Sequence, residues 1–312
     1  MDNENKFPLV SFVLLAYISE KFIKSAVEAA LSQEYPNLEV ILSDDHSSDK
    51  TFEIMNEVAL SYIGPHRIIL NRNDCNMGIR EHCNKLLYEL SNGDIILLAA
   101  GDDISMPDRT INSVDFFLSH PEVSSLSFES QLIDEFGRKI VSPLLNISSN
   151  AKTSIYTLTD YVKFDFFIYS GESRALRRSV IDKFPPLKYS NSEDIFLFIR
   201  SLYVGSIAYI RKPCVLYRQH SNSVMAKCRA RKKLKKEELL KFERTTKKQL
   251  YADYDYAVEH NYISEIDKIR VRAKISEAVL WLKPKQYSFF HRACRLIFRS
   301  LSSISNDIAK KI

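Results

Sequence analysis

Apolar residues in the first hundred positions fall into two kinds of segment. Short, largely apolar runs at residues 9–15, 38–42, 67–70 and 95–100 predict strands, and the last of these runs shows no polar alternation. Between them lie segments in which apolar residues recur every three or four positions, which predicts helices. This alternation predicts an α/β fold with a mostly parallel, doubly wound central sheet and helices on both faces.

The pattern changes in the second half of the chain, where antiparallel strands are predicted to mix with helices. The predicted elements are, in order, a helix from Pro107 to about residue 120, a strand at 123–133, a helix at 195–203, and strands at 207–210 and 215–220. Residues 142–156 are polar and lack a strong pattern, so we expect a loop there. Such a loop either covers a substrate or is an ordinary surface loop.

Carboxylates follow two of the predicted strands directly. Asp44 and Asp45 come after the second strand, and Asp102 and Asp103 come after the fourth. Because the carboxyl ends of parallel strands meet at the ligand-binding edge of an α/β sheet, we expect these groups close together, near Tyr17. Carboxylate oxygens there suit a divalent cation that bridges to a phosphate. An acidic cluster that caps the next helix explains Asp102 and Asp103 equally well.

Other charged residues have simpler explanations. Glu193 and Asp194 fall in the first turn of a predicted helix, where the helix dipole favours negative charge by about 0.3–1 kcal/mol. Arg109 is predicted to be a structural ion-pair partner, and Arg177 and Arg178 are predicted to be a solvated pair rather than phosphate contacts. The five cysteines are odd in number, scattered and without C-x-x-C spacing, so we expect free thiols.

Charge is distributed unevenly along the 312 residues. The formal net charge is +5, but residues 226–312 have a net charge of +12 and residues 1–225 one of −7. Such a basic block is usually a solvated helical surface, and less often a contact with an anionic membrane or a nucleic acid. Residues 227–248 lack interleaved aromatic residues and any recognised nucleic-acid-binding module, so we expect no nucleic-acid partner.

The pattern of apolar residues and arginines in residues 287–312 has two interpretations. Residues 287–312 place apolar residues at helical spacing beside three arginines, which fits a helix on an anionic inner membrane leaflet. It fits equally a helix packed against the domain or within a dimer, so a homo-oligomer is compatible with the sequence. No signal-peptide pattern and no apolar run of spanning length is visible, so the expected location is cytoplasmic, with peripheral membrane contact under the first reading.

Several short motifs, in this order and spacing, resemble the inverting glycosyltransferases of family 2, which have the GT-A fold. They are Ala16-Tyr17 after the first strand, Asp44-Asp45-His46-Ser47-Ser48-Asp49, Asn76-Met77-Gly78, Gly101-Asp102-Asp103 with Pro107-Asp108-Arg109, Glu193-Asp194 before a helix, and Tyr217-Arg218-Gln219-His220. The resemblance implies a GT-A domain at residues 1–225, with a nucleotide-binding half at about 7–120 and an acceptor half at about 121–225. A basic helical extension at 226–312 follows.

The resemblance also implies roles for individual residues. Ala16 and Tyr17 lie where the family contacts the nucleotide, and Asp45, with Asp44 beside it, matches the carboxylate that accepts a hydrogen bond from the base. Asp102 matches the last Asp of the Asp-x-Asp motif, which holds Mn²⁺ or Mg²⁺ against the diphosphate. Ala100 replaces the first Asp of that motif, so metal binding rests on Asp102 with Asp103 and His220.

For catalysis, Asp194 matches the family's general base, which takes the proton of the acceptor hydroxyl, and Glu193 is expected to orient it. The implied reaction moves a sugar from a nucleotide-sugar donor, most simply UDP-linked, to a glycan or lipid-linked oligosaccharide in bacterial surface-polysaccharide synthesis. One alternative is a nucleotidyltransferase, but the glycine-rich basic loop expected of it is missing after the first strand. Another is a non-catalytic nucleotide-sugar-binding protein, which the replacement at Ala100 keeps open.

Overall fold

A computed structural model describes residues 7–140, 152–164, 171–221, 223 and 236–281. The strands are Val10–Ala16 (β1), Leu38–Asp44 (β2), Arg67–Arg72 (β3), Ile95–Ala100 (β4), Ile104–Ser105 (β5), Val123–Ile133 (β6), Thr153–Tyr156 (β7), Arg174–Arg177 (β8) and Ser206–Arg218 (β9). The helices are Ile23–Leu31 (α1), Thr51–Leu60 (α2), Ile79–Asn84 (α3), Arg109–Ser119 (α4), Leu158–Phe164 (α5), Arg178–Asp182 (α6), Glu193–Val204 (α7), Lys236–Glu259 (α8) and Glu265–Trp281 (α9).

The described strands form one mixed sheet in the order β3-β2-β1-β4-β8-β6-β9-β5, and β7 pairs with another stretch of the β9 edge that β5 occupies. The first four strands are parallel to one another, which confirms the predicted parallel half. Strand β8 runs antiparallel to both β4 and β6. The amino end of β8 therefore lies at the same edge as the carboxyl end of β4.

Helices cover both faces of this sheet because its central strands are apolar on both sides. Phe12 and Leu14 of β1 face a core shared with α1, α2 and α4, whereas Val13 between them faces a second core formed with α3, α6 and α7. Each of these three side chains is at most 1% exposed, and burying one contributes about 1.5–3 kcal/mol. Two-sided burial explains why the runs show no polar alternation.

Some predicted elements are wrong in detail. Residues 153–156, assigned to a loop, form strand β7, which pairs with residues 207–210 of β9. The two strands predicted at 207–220 are one strand, β9, which continues through Pro213 because the register against β6 shifts there. The helix predicted between the third and fourth strands is α3 followed by a π-helical segment, Lys85–Leu90. The rest of the predicted loop, at 142–151, lies outside the described residues.

The predictions for the three arginines are also wrong. Arg177 and Arg178 are not solvated, because their guanidinium groups donate to backbone carbonyls at helix ends, including Phe117 O and Ser91 O at 2.5 and 2.7 Å. Arg109 is fully buried and donates to Ser105 Oγ and Leu98 O, and no described carboxylate lies within ion-pair distance of it. These arginines satisfy backbone carbonyl groups in the interior.

A third core joins the basic C-terminal part to the rest of the protein. Side chains of α8 and α9, among them Leu250, Tyr254 and Ile275, pack with Phe196 and Phe198 of α7. Arg200 of α7 forms a buried, two-pronged ion pair with Asp253 of α8, at 2.9 and 2.7 Å. The division of the chain at residue 225 stays a prediction.

None of the described helices is long and apolar enough to cross a membrane. The membrane-surface helix predicted at 287–312 lies outside the described residues.

Candidate active site

The carboxyl ends of β1, β2 and β4 meet at one edge of the sheet. Ala16 is paired with Asp44, and the Asp45 N–H donates to Ala16 O at 2.9 Å. On the other side of β1, the Gly101 N–H donates to Leu15 O at 2.8 Å. The strand-end residues predicted to share an edge are therefore brought together here.

Asp45 organises the part of this edge that is formed by the end of β2 and the loop after β3. Its Oδ1 accepts hydrogen bonds from Asn73 Nδ2 at 2.8 Å and the Met77 N–H at 2.9 Å, and its Oδ2 accepts one from the Gly78 N–H at 2.9 Å. Gly78 has a φ of +79°, which suits glycine. A carboxylate has about four acceptor positions. Asp45 thus fixes the turn at 76–78 and keeps capacity for about one further donor.

Asp44 has a different role from its neighbour. Its side chain is fully buried and accepts from the N–H and the hydroxyl of Ser47, so it closes its own turn. Ser47 Oγ in turn accepts from the Ile18 N–H at 2.8 Å, which joins the loops after β1 and β2. Tyr17 is 49% exposed on this joined surface. Of the predicted nucleotide contacts, Tyr17 is the one whose ring is open to a ligand.

Asp102 lies beside His220, as the predicted metal group requires. His220 Nε2 is 3.0 Å from Asp102 Oδ2, and the imidazole packs against the ring of Phe22 with centroids 4.6 Å apart. Among the described residues no three His, Cys, Asp or Glu side chains cluster in a way that could hold a metal ion. Asp102 and His220 could supply two ligands to a metal ion, and such an ion would need further ligands from a diphosphate or water.

Asp103 is turned into the protein instead. Its Oδ1 accepts from the Arg218 N–H at 2.8 Å, and its Oδ2 is buried with no hydrogen-bond partner among the described residues. Burial and the nearby charges of Asp102 and Glu172 hold the pKa of Asp103 well above its usual range. The Asp103 side chain therefore points into the protein and not toward the edge at which Asp102 and His220 lie, so its predicted role as a metal ligand is not supported.

Glu193 and Asp194 begin helix α7 next to the amino end of β8. A Cβ atom at Gly171 would lie 2.3 Å from Asp194 Oδ1, so the chain just before β8 touches this carboxylate. The next residue, Glu172, accepts from Ser130 Oγ at 2.8 Å and contributes to the field at Asp103. Residues 171–172 therefore link the Asp194 carboxylate to the Asp102–Asp103 group at the same edge.

The Glu193–Asp194 pair is electrostatically unusual. Both side chains keep some solvent contact, but surrounding protein atoms remove most of their hydration. This desolvation raises the pKa of Asp194, and together with the Asp194 charge it raises the pKa of Glu193 to about 8. The buried guanidinium of Arg174 acts in the opposite direction on both pKa values. A carboxyl group with a raised pKa near neutral pH suits general acid–base chemistry.

Comparison with known proteins identifies the family. Residues 11–184 match the model of "Glycosyl transferase family 2", which is more than half of the chain. The chain belongs to glycosyl transferase family 2. This confirms the family inferred from the short motifs, and it removes the main support for the nucleotidyltransferase alternative.

Several family relatives are similar over part of the chain. The putative glycosyltransferase EpsE of Bacillus subtilis is 35% identical over 43% of this chain and 47% of its own length. The glucosyltransferase WfaP of Escherichia coli is 34% identical over 35% of this chain and 41% of its own length. The dTDP-rhamnosyl transferase RfbG of Shigella flexneri is 26% identical over 67% of this chain and 72% of its own length. The chain thus aligns with less than half the length of EpsE or WfaP.

Solved structures show the same fold. Residues 1–349 of Staphylococcus aureus TarS, solved with UDP-GlcNAc, match 97% of this chain and 92% of that one with a TM-score of 0.59 and 14% identity. The mannosyltransferase PcManGT of Pyrobaculum calidifontis, solved with GDP-Man and Mn²⁺, matches 98% and 86% with a TM-score of 0.54 and 13% identity. The family 2 chain therefore has the GT-A fold, as predicted.

Sequence reasoning missed three residues of this family 2 site. Asn73 donates a hydrogen bond to Asp45, the charge of Arg174 acts on the Glu193–Asp194 pair, and Gly171 lies against Asp194. Gly171 is one of only seven glycines in the chain, which is a sequence signal for a close approach of the backbone. The Asn73 and Arg174 contacts leave no such local signal, because their partners are far away in the sequence.

Proposed function

We propose that this protein is an inverting, metal-assisted glycosyltransferase that moves a sugar from a UDP-linked donor to a lipid-linked glycan. The carrying observation is the convergence of Asp45, Asp102 and Asp194 at one sheet edge, linked through residues 171–172. At such an edge Asp45 would contact the nucleotide, Asp102 would contact the diphosphate through a metal ion, and Asp194 would be the general base. Surface-polysaccharide synthesis in the cytoplasm is the setting we propose for this reaction.

The chemistry follows from the position of Asp194. Its carboxylate takes the proton of the acceptor hydroxyl as that oxygen attacks the anomeric carbon from the side opposite the nucleotide. The new carbon–oxygen bond forms while the bond to the diphosphate breaks, and the diphosphate leaves with the electron pair. A single displacement inverts the anomeric centre. Glu193, next to the base, orients Asp194 and shares its proton equilibrium.

The donor is held from the other side of the cleft. Tyr17 offers its exposed ring to the nucleobase of the donor, and Asp45 keeps an acceptor position for an N–H of that nucleobase. Asp102 and His220 are the residues that would hold a Mn²⁺ or Mg²⁺ ion, which neutralises charge on the leaving diphosphate. A UDP donor is supported by TarS, solved with UDP-GlcNAc, and by WfaP, named for UDP-Glc. RfbG, named as a dTDP-rhamnosyl transferase, and PcManGT, solved with GDP-Man, define the competing donors.

A phosphate-bearing acceptor is supported by the loop that leads into α7. Lys188 and Lys248 are both exposed, and their Nζ atoms lie 5.6 and 5.8 Å from the ring centroid of Tyr189 between them. Lys241 and Arg244 continue this basic face along α8 at helical spacing. Lys188 lies six residues before Asp194, and this row of exposed cations suits the diphosphate of a lipid-linked acceptor, the type named for WfaP.

The test is a substitution at the base. Asp194→Asn should lower the turnover number by about 10²–10⁴-fold, while calorimetry should find nearly unchanged affinity for the donor. The donor is first chosen by thermal shift with UDP-, dTDP- and GDP-sugars, with and without Mn²⁺, and the assay uses GlcNAc-diphosphoundecaprenol as acceptor. Asp182→Asn, at an exposed position on α6, is the matched control. Retained turnover in Asp194→Asn would remove Asp194 from the base role.

A further inference from the structure

The backbone of Gly171 occupies space that leaves no room for a side chain. The Cβ position of residue 171 lies 2.3 Å from Asp194 Oδ1 and 2.6 Å from both Oδ2 and Cγ. Contacts this short between carbon and heavy atoms are not tolerated, so a Cβ atom there would force a movement. All three of the nearest atoms belong to the carboxylate of one residue.

The movement that relieves this contact is a rotation of Asp194. The carboxylate is the far end of a flexible side chain. The turn that carries Gly171 is closed by a hydrogen bond from the Arg174 N–H to Gly171 O at 3.2 Å, and β8 and α7 on either side of it are packed into one core. The backbone of Gly171 is not in the left-handed region that favours glycine, so alanine fits its conformation. Turning the Asp194 side chain costs little compared with shifting α7 or β8.

We propose that Gly171 is a positioning residue for the reaction, because its missing side chain holds open the space in which the Asp194 carboxylate faces the cleft. This inference rests on the proposed function, in which Asp194 is the base. The approach of the 171 backbone also removes water from one side of that carboxylate, consistent with its raised pKa. A side chain at 171 would therefore displace the base without unfolding the protein.

The experiment compares two glycine substitutions with opposite expected effects. In Gly171→Ala the turnover number should fall by about 10²-fold, the loss that a misplacement of about 1 Å causes in a catalytic group. The donor affinity and the melting temperature should stay near those of the unchanged protein. In Gly205→Ala, at the other end of α7, the new Cβ would lie 2.6 Å from the backbone oxygen of Glu122. That variant should melt earlier but keep the turnover number of its folded fraction.

Two results would overturn the inference. One is an unchanged turnover number in Gly171→Ala. The other is a fall in melting temperature like that of Gly205→Ala, which would make Gly171 a packing residue. The Asp194→Asn variant separates this inference from the proposed function. If Asp194→Asn is inactive and Gly171→Ala is normal, only the positioning role fails, whereas turnover in Asp194→Asn removes the proposed base itself.

Discussion

At the scale of single residues, the site depends on how the protein distributes protons between Glu193 and Asp194. Each carboxyl group is desolvated, and the charge of Asp194 disfavours ionisation of Glu193. Arg174 limits this effect because its positive charge favours the ionised forms. The pair therefore titrates as a unit, and one negative charge on it is more readily formed than two. A single charge is what a general base needs.

A pH dependence of stability follows from the raised pKa of Glu193. The native protein holds this proton up to a pH of about 8, whereas the unfolded chain releases it near 4.5, so the native state binds more protons between these values. The free energy of unfolding contributed by Glu193 is present below 4.5 and is lost as the pH rises through about 8. Glu193→Gln should therefore flatten the fall of melting temperature with pH over this range.

The comparison for this prediction uses thermal unfolding followed by circular dichroism at several pH values. Glu89→Gln, at an exposed position of the π-helical segment, is the matched control and should leave the slope unchanged. An equal slope in the unchanged protein and in Glu193→Gln would show that Glu193 ionises in the native state at its ordinary pKa.

The sequence could predict which residues reach the site better than what each residue does there. Asp44, Asp45 and Asp102 follow apolar runs, and the strand-end rule places them at one edge. The rule does not separate Asp44, which closes its own turn onto Ser47, from Asp45, which holds the 76–78 turn. That difference depends on side-chain rotation and on a loop 30 residues away. Gly171 was missed for a similar reason, because its partner Asp194 belongs to another element.

At the scale of elements, the loop before α7 carries part of the basic surface that we propose binds the acceptor. Gln249 of α8 accepts through Oε1 from the N–H groups of Lys188 and Tyr189, at 3.0 and 2.9 Å. Its Nε2 donates to Asp253 Oδ1 at 2.9 Å, which fixes the carboxamide orientation. The loop that presents Lys188 is thus tied to the helix that presents Lys248. The hydrogen bonds between the loop backbone and the Gln249 side chain therefore hold these two lysines on the same surface.

Neutralising this basic surface should affect the acceptor and not the donor. We expect Lys188→Gln with Lys248→Gln to raise the KM for GlcNAc-diphosphoundecaprenol about 5–150-fold, because two charge-assisted contacts of roughly 1–3 kcal/mol in sum are lost. The affinity for the nucleotide sugar should not change. Lys24→Gln with Lys139→Gln, both outside α7 and α8, serves as the control of equal charge. An unchanged acceptor KM would place the acceptor phosphates elsewhere.

Element boundaries show where pattern reading from the sequence reaches its limit. The β1, β2 and β4 runs are buried on both faces, so their strands are recognisable without knowing the fold. Strand β7 has a mixed pattern of partly buried and exposed residues and is stabilised by pairing with β9. Its existence depends on a partner more than 50 residues away. Pro213 reads as a break in the sequence, but a register shift lets β9 continue past it.

At the scale of the whole molecule, the C-terminal helices are part of the site's support. Helices α8 and α9 share a core with α7, which carries Asp194 at its first turn. The Arg200 guanidinium connects three regions. It donates to Asp253 on α8, to Tyr88 of the π-helical segment and to Pro185 O, which precedes Lys188 in the loop that leads into α7. The described part of the basic extension, residues 236–281, is thus packed against α7 and does not form a separate unit.

The buried Arg200–Asp253 pair gives a prediction about this coupling. Both side chains are at most 2% exposed, so Asp253→Ala leaves the Arg200 charge buried and unpaired and should lower the free energy of unfolding by about 3–5 kcal/mol. Replacing both partners, in Arg200→Met with Asp253→Leu, removes the buried charges together and should restore most of that loss. Urea denaturation measures both effects. If the single and the double variant lose equal stability, the hydrogen bonds that Arg200 makes to Tyr88 and Pro185, rather than its pairing with Asp253, stabilise the junction.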